Sequence, residues 1–278
     1  MKIVLMVNDQ KSCNIDCGHC YLPYAGNRSP EDTLEAVINL KAQGHDVIIA
    51  GSETLVDTGY LEAYMEAGQD YLLTNGILLN HKPELFDLIE EHGIKTIQIS
   101  AHFGIDKELK SVPISLVGKV ATEAKYRGFD VRLATTITSK NYHDVENMCG
   151  LAYGMGADEL KFIRMIQSGK AEADNENSLT QENINMFFDY VTRTRAKYDK
   201  DEFRISMHGN FGPRPGSAGE SLSLRNGYCP ASDGLVAIAP DGVVYGCPFL
   251  MNIPIGRYVE GRLDMKSIFQ DRLACLAK

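Results

Sequence analysis

Lys2-Ile3-Val4-Leu5-Met6-Val7 and, a few residues on, Cys13-Asn14-Ile15-Asp16-Cys17-Gly18-His19-Cys20 are the stretch that decides how this chain is read. The first segment is a short apolar run of the kind buried on both faces of a parallel sheet. The second places three thiols within one short loop. A four-iron cluster usually takes four thiolates, so three leave one iron open to another ligand. A zinc site completed by His19 or a distant residue is the competing reading. Zinc ligands usually come as pairs from two loops, and no second pair lies nearby in the sequence.

Outward from that stretch, apolar β-branched runs recur at 46–50, 71–74, 96–100, 131–136 and 159–163, each followed by a helical pattern. Ser29-Pro30-Glu31-Asp32 reads as a helix cap, a first-turn proline and two acids facing the positive helix end. That helix closes at Gly44. Further helices are expected over 82–92, 115–127 and 142–153, each running into a glycine, and from Thr180 to about 197. Six strands with intervening helices imply right-handed crossovers and an open or closed β/α barrel, with a doubly wound sheet as the alternative. The texture changes at 209–227, which is rich in Gly, Ser, Pro and Arg. Beyond it, Pro240-Asp241-Gly242 between two apolar runs signals a hairpin, and a last helix is expected over 265–276. The expected organisation is a barrel-like domain over 1–207 and a small module over 208–278.

The chain has 278 residues, 44% of them hydrophobic and 23% charged, with a net charge of −9. These values fit a globular protein with a sizeable core. The acidic balance argues against a nucleic-acid or anionic-membrane surface, where basic patches drive binding. The apolar N-terminal run is too short for a secretory signal, and no run is long enough to span a bilayer. A cytoplasmic location is expected. Seven cysteines, six of them towards the chain ends, then point to metal or redox chemistry rather than a disulfide frame.

The Cys-x3-Cys-x2-Cys motif after the first strand resembles that of the radical S-adenosylmethionine (SAM) superfamily. The resemblance implies a partial (β/α)6 barrel, with Cys13, Cys17 and Cys20 holding a [4Fe–4S] cluster whose open iron chelates SAM. It implies cleavage of SAM to a 5′-deoxyadenosyl radical that abstracts a substrate hydrogen, and an electron donor such as a flavodoxin or ferredoxin. His19 lies where the family often has an aromatic near adenine. Gly51-Ser52-Glu53, after the second strand, resembles the family's Gly-Gly-Glu motif for the SAM amino group, with Ser in place of the second Gly. Asn75, Ser100 and His102 lie at the C-terminal ends of strands, where barrel sites gather. Arg132 and Arg164 either pair with the SAM carboxylate or form structural ion pairs. Cys149 falls on a helical core face and is a weaker candidate hydrogen donor.

Near the other end, Cys229-Pro230, Gly242-Val243-Val244-Tyr245-Gly246-Cys247 and Cys275 resemble the SPASM and twitch modules of the same superfamily. A second, auxiliary [4Fe–4S] cluster on Cys229, Cys247 and Cys275 is the implied occupant, with a zinc knuckle as the alternative. A full two-cluster SPASM module is excluded by the cysteine count. Cys275 is also a candidate hydrogen donor. The 161–171 segment is similar to the sixth-strand region of enzymes that modify peptides, so the expected substrate is a peptide undergoing epimerisation, oxidation or thioether formation. Oxidation or epimerisation of a carbohydrate or aminoglycoside alcohol is the second expectation. A non-catalytic iron–sulfur carrier is the third.

Overall fold

The computed structural model describes residues 1–22, 26–172, 174–211, 234–249, 251 and 254–265. The barrel strands are β1 (Lys2–Met6), β2 (Asp46–Ala50), β3 (Tyr71–Thr74), β4 (Thr96–Ser100), β5 (Asp130–Ile137), β6 (Glu159–Arg164) and β7 (Arg204–Met207). Between them lie α1 (Pro30–Ala42), α2 (Tyr60–Ala67), α3 (Ile77–His81), α4 (Leu85–Glu91), α5 (Ile114–Tyr126), α6 (Val145–Gly154) and α7 (Gln181–Arg195). The C-terminal strands are β8 (Leu235–Ile238), β9 (Val243–Tyr245), β10 (Pro254–Val259) and β11 (Arg262–Met265). Hydrogen bonding gives two sheets, β3-β4-β5-β6-β7 and β11-β10-β9-β8-β1-β2. β1 to β2 and β3 to β7 are parallel throughout. The fold is a curled half-barrel of α/β type, as the strand count predicts.

Alternation along each strand separates two faces. Ile3, Leu5, Ile49, Leu72, Ile97, Leu133, Leu160 and Phe162 point outward into one core with the apolar stripes of the helices. Burying a single such side chain stabilises by about 1.5–3 kcal/mol, so this layer fixes which residues are left to face inward. Val4, Met6 and Ala50 point the other way and pack with Leu22, Ala237, Ala239 and Met251. That concave face carries the cysteine loop.

The caps read from sequence are present. Ser29 accepts the Asp32 amide at the start of α1, and Thr180 and Asn183 form a capping box at the start of α7. Five elements were not legible. The strand β7, the helices α2 and α3 and the hairpin β10–β11 carried no recognised pattern. The expected last helix does not begin at Met265, which instead ends β11, while 266–278 lie outside the described residues. β8 pairs in parallel with β1 (Lys2 opposite Leu235), so one sheet runs from the barrel into the C-terminal hairpins.

No ladder joins β2 to β3. Instead the buried Gln69 side chain lies between them. Its Oε1 accepts from the Ile49 amide at 2.7 Å, and its Nε2 donates to the carbonyls of Ile49 (3.2 Å) and Tyr71 (2.9 Å). No helix among the described residues is long and apolar enough to cross a membrane.

Candidate active site

The cysteine loop leaves β1 at the C-terminal mouth of the half-barrel and is clamped from several sides. Asp9 caps its first turn by accepting the Lys11 amide, and also accepts the Gly26 amide. The Gln10 side chain donates to the carbonyls of Leu22 and Cys20. From the β4–α5 loop, the Leu109 carbonyl accepts the Gly18 amide at 2.8 Å. From the segment after β6, the Lys170 amide donates to the Cys20 carbonyl at 2.9 Å, and the Lys170 ammonium pairs with Asp16. Gly169 makes that approach feasible. Its φ is +59°, and a Cβ there would lie 2.6 Å from the Cys20 carbonyl oxygen and 2.8 Å from the Tyr21 carbonyl carbon. At the end of β3, the Asn75 side-chain Nδ2 donates to the Asn14 Oδ1 at 2.7 Å.

This clamping brings the three thiols within electrostatic reach of one another. Burial, followed by the charges of Cys13 and Cys20, pushes Cys17 up to about 12. Burial likewise raises Cys13 and Cys20. A cationic metal centre reverses that penalty, because it binds thiolates and removes their protons. Among the described residues no three His, Cys, Asp or Glu side chains converge tightly enough for one ion. An iron–sulfur cluster is larger and takes one thiolate per iron.

Glu53 follows β2 and is fully buried. Its carboxylate accepts from the Thr74 hydroxyl at 3.0 Å, the Asn75 amide at 2.7 Å and the Leu55 amide at 3.3 Å. Burial still outweighs these donors and raises it to about 7, and no cation among the described residues pairs with it. A buried carboxylate without a counter-charge is a place prepared for a cation. Asn8, at the end of β1, holds the same loop by accepting the Ser52 amide (2.8 Å) and donating to the Glu53 carbonyl (3.1 Å). A Cβ on Gly51 would run into the Asn8 side-chain oxygen, so glycine is required there. The Ser52 hydroxyl is buried beside Cys13 and favours its thiolate.

His19 and His102 meet edge to face, with ring centroids 4.4 Å apart. His102 Nδ1 accepts the Thr136 amide at 3.2 Å, so its proton is on Nε2. Burial lowers both, His19 to about 4. Ser100 ends β4 and Arg164 ends β6, so both lie at the mouth. Two expectations place differently. Arg132 lies at the opposite, N-terminal end of β5, where it pairs with Asp130 at 2.8 Å and Glu159 at 3.6 Å. This is the structural ion pair of the two readings. Cys149 is fully buried between α6 and the outer core, away from the concave face, which removes it as a hydrogen donor.

Cys247 is buried after β9 and accepts the Phe249 amide at 3.4 Å. Cys229 and Cys275 lie outside the described residues. Tyr21 connects the two cysteine regions. Its phenol is raised by burial and then by the charges of Cys20 and Cys247, and its ring meets Phe249 at 4.9 Å. Phe249 in turn meets His208 at 4.8 Å. Sequence reading missed Asn8, Gln10, Gly169, Tyr21 and His208. Asn8 and His208 follow the C-terminal ends of strands and could have been found by the rule that selected Asn75. Gln10, Gly169 and Tyr21 carried no such signal.

A parallel β/α half-barrel with three coupled thiols and a buried, unpaired carboxylate at its mouth defines a class of metal-cluster enzyme. The chain belongs to the radical SAM superfamily, whose family model matches residues 7–152. The fold is similar to that of Streptococcus suis SuiB bound to precursor peptide SuiA, with 16% identity and a TM-score of 0.71, over 98% of this chain and 64% of that one. It is also similar to anSMEcpe with bound AdoMet (S-adenosylmethionine), at 19% identity and a TM-score of 0.64, over 92% of this chain and 74% of that one. A structure of anSMEcpe with AdoMet and the Kp18Cys peptide gives 18% identity and a TM-score of 0.66, over 92% and 78% of the two chains. At these identities the likeness is one of fold. The chain spans 64% of the length of SuiB. No curated protein sequence matches it.

Proposed function

We propose that this radical SAM enzyme modifies a peptide by epimerisation, oxidation or thioether formation. Cys13, Cys17 and Cys20 hold the [4Fe–4S] cluster, and Glu53 takes the SAM amino group. The observation that carries the reading is the pairing of three neighbouring thiols with a buried carboxylate that has no cation beside it among the described residues, both at one mouth. When bound, the reduced cluster and SAM supply C–S bond cleavage and the power to take a hydrogen from an unactivated carbon. The chain's own residues orient that chemistry. Asn8 and Gly51 set the carboxylate loop, Asn75 links Glu53 to the cysteine loop, and the Leu109 carbonyl and Gly169 fix the cysteine loop from above. Ser100, His102 and Arg164 line the same mouth and are the remaining candidates for contact with the cofactor, with His19 beside the cluster.

The peptide reading is supported by folds of the same shape that hold peptides, SuiB with SuiA and anSMEcpe with Kp18Cys. A second [4Fe–4S] cluster on Cys229, Cys247 and Cys275 within a 208–278 module belongs to the same proposal, as do barrel boundaries at 1–207 and a flavodoxin or ferredoxin donor. The buried position of Cys247 near Tyr21 supports a link between the two cysteine regions. The test is anaerobic turnover of candidate peptides in deuterated water. Solvent deuterium at one α-carbon identifies epimerisation, and loss of two hydrogens identifies oxidation or a crosslink. Formation of 5′-deoxyadenosine without change in any peptide refutes the peptide reading.

A further inference from the structure

Lys161 lies midway along β6. Its neighbours in sequence, Leu160 and Phe162, point into the outer core, so its side chain faces the concave side. Across the sheet it stands in register with Ser100, Ala134 and Ser206. Three of these four positions are small, so Lys161 is the one long side chain of its layer. The layer below is formed by Leu73, Gln98, Arg132, Glu159 and Arg204 and is filled and self-paired. Arg132 binds Asp130 and Glu159, Arg204 binds Asp130 (3.6 Å) and Glu159 (3.4 Å), and Ser206 donates to Glu159.

The concave face of β5–β7 therefore sets three cations, Arg132, Arg204 and Lys161, against two carboxylates, and both carboxylates are committed to the arginines. No described carboxylate comes within 4.0 Å of Lys161. The Glu159 charge reaches it only at longer range, and burial lowers its pKa. His208, beyond the end of β7, is neutral and accepts the Asn210 amide on Nδ1. A desolvated ammonium with no ion-pair partner among the described residues is stabilised by an anion that can accept its hydrogen bonds.

We propose that Lys161 anchors a carboxylate of the substrate. The inference rests on the peptide reading, in which the group is an acidic side chain or a C-terminus. The SAM carboxylate is not within its reach if Glu53 holds the SAM amino group. Those two groups share one carbon atom, whereas Glu53 is bound to the end of β3, three strands from β6, or about 14 Å of sheet. Lys161 also lies about 10 Å below the end of its own strand and level with Ser100 at the end of β4, at a depth that a substrate group inserted into the half-barrel can reach.

The test uses the full chain with its cluster reconstituted, saturated with SAM and kept unreduced, so that binding is read without turnover. Four probes are titrated by ligand-observed NMR: Ac-Gly-Glu-Gly-NH2, Ac-Gly-Gln-Gly-NH2, glutarate and glutaramide. The expected result is about a tenfold preference for each carboxylate over its amide, a charge-assisted hydrogen bond's worth. Lys161→Met should abolish the preference, Lys161→Arg should keep part of it, and SAM affinity should stay within twofold. Thermal melts confirm that both variants fold. Preference for glutarate with no binding of either peptide keeps the carboxylate anchor and refutes the peptide reading. Equal binding of acid and amide in the wild type, or loss of SAM binding in a folded Lys161→Met protein, overturns the proposal.

Discussion

Acid should destabilise the apoprotein through His208, and the size of the effect can be worked out. Burial, followed by the charge of Lys161, lowers this histidine from its ordinary 6.5 to about 4. The folded chain thus keeps it neutral where the unfolded chain protonates it. Between those two values the unfolded state binds more protons, so stability falls as the pH drops through 6.5 and stops falling near 4. At pH 5 the difference amounts to at most about 2 kcal/mol, because the half-buried ring retains some solvent. His208→Asn places a carbonyl oxygen where Nδ1 accepts the Asn210 amide at 3.2 Å, and it does not titrate. The assay is urea unfolding of the iron-free protein at pH 7 and pH 5. His19 and His102 also contribute an acid loss, so the informative quantity is the difference between wild type and variant. The variant should lose up to about 2 kcal/mol less than wild type between the two pH values. Lys161→Met, which removes the second cause, should shrink the wild-type loss in the same direction. Identical losses in wild type and His208→Asn would refute the assignment of this half-buried, neutral histidine.

Other outcomes are expected at the site and the seam. Glu53→Gln should leave the iron content unchanged and weaken SAM binding tenfold or more, since a charge-assisted bond to an ammonium is worth about 1.5–3 kcal/mol; equilibrium dialysis reads it. Gly169→Ala should cost more than about 1 kcal/mol from the left-handed backbone alone. It should also speed iron loss to a chelator, because the added carbon collides with the Cys20 carbonyl. Gln69→Leu removes three buried hydrogen bonds and strands their backbone partners, a loss of about 3 kcal/mol or more in urea unfolding. Anaerobic reconstitution should give about eight irons per chain, falling to about four when Cys13, Cys17 and Cys20 are all replaced by Ala; about four falling to none would leave the C-terminal cysteines without a cluster.

The half-barrel was legible because its six leading strands are short apolar runs punctuated by glycine-terminated helices. β2, β3 and β4 match their expected limits, and β1, β5 and β6 differ by at most a residue at either end. β7 escaped because it is an edge strand of four residues that begins with the exposed Arg204 and carries Ser206 inward. Apart from the buried Ile255, β10 and β11 alternate exposed and half-buried positions, and this leaves little apolar signal. The thiol triad and Glu53 could be chosen from spacing and from their place after strands. Arg132 shows the limit of that approach. An arginine in an apolar strand looks functional until the register reveals carboxylates beside it at the closed end. Conversely, Lys161 drew no notice in sequence, because its isolation depends on what the neighbouring strands β5 and β7 put opposite it.

The Gln69 bridge has a mechanical consequence. Where other neighbouring barrel strands share a ladder of backbone bonds, β2 and β3 are held by one side-chain amide, and Glu53 spans the same line by reaching from the end of β2 to Thr74 and Asn75. The half-barrel thus contains a stitched joint rather than a continuous weave, and the stitch runs through the carboxylate proposed to meet the cofactor. A cation seated on Glu53 acts there as a rivet. Amide exchange at Ile49 and Asn75, whose N–H groups donate to Gln69 and Glu53, should slow together when it binds, while the β4–β6 ladder keeps its own pace.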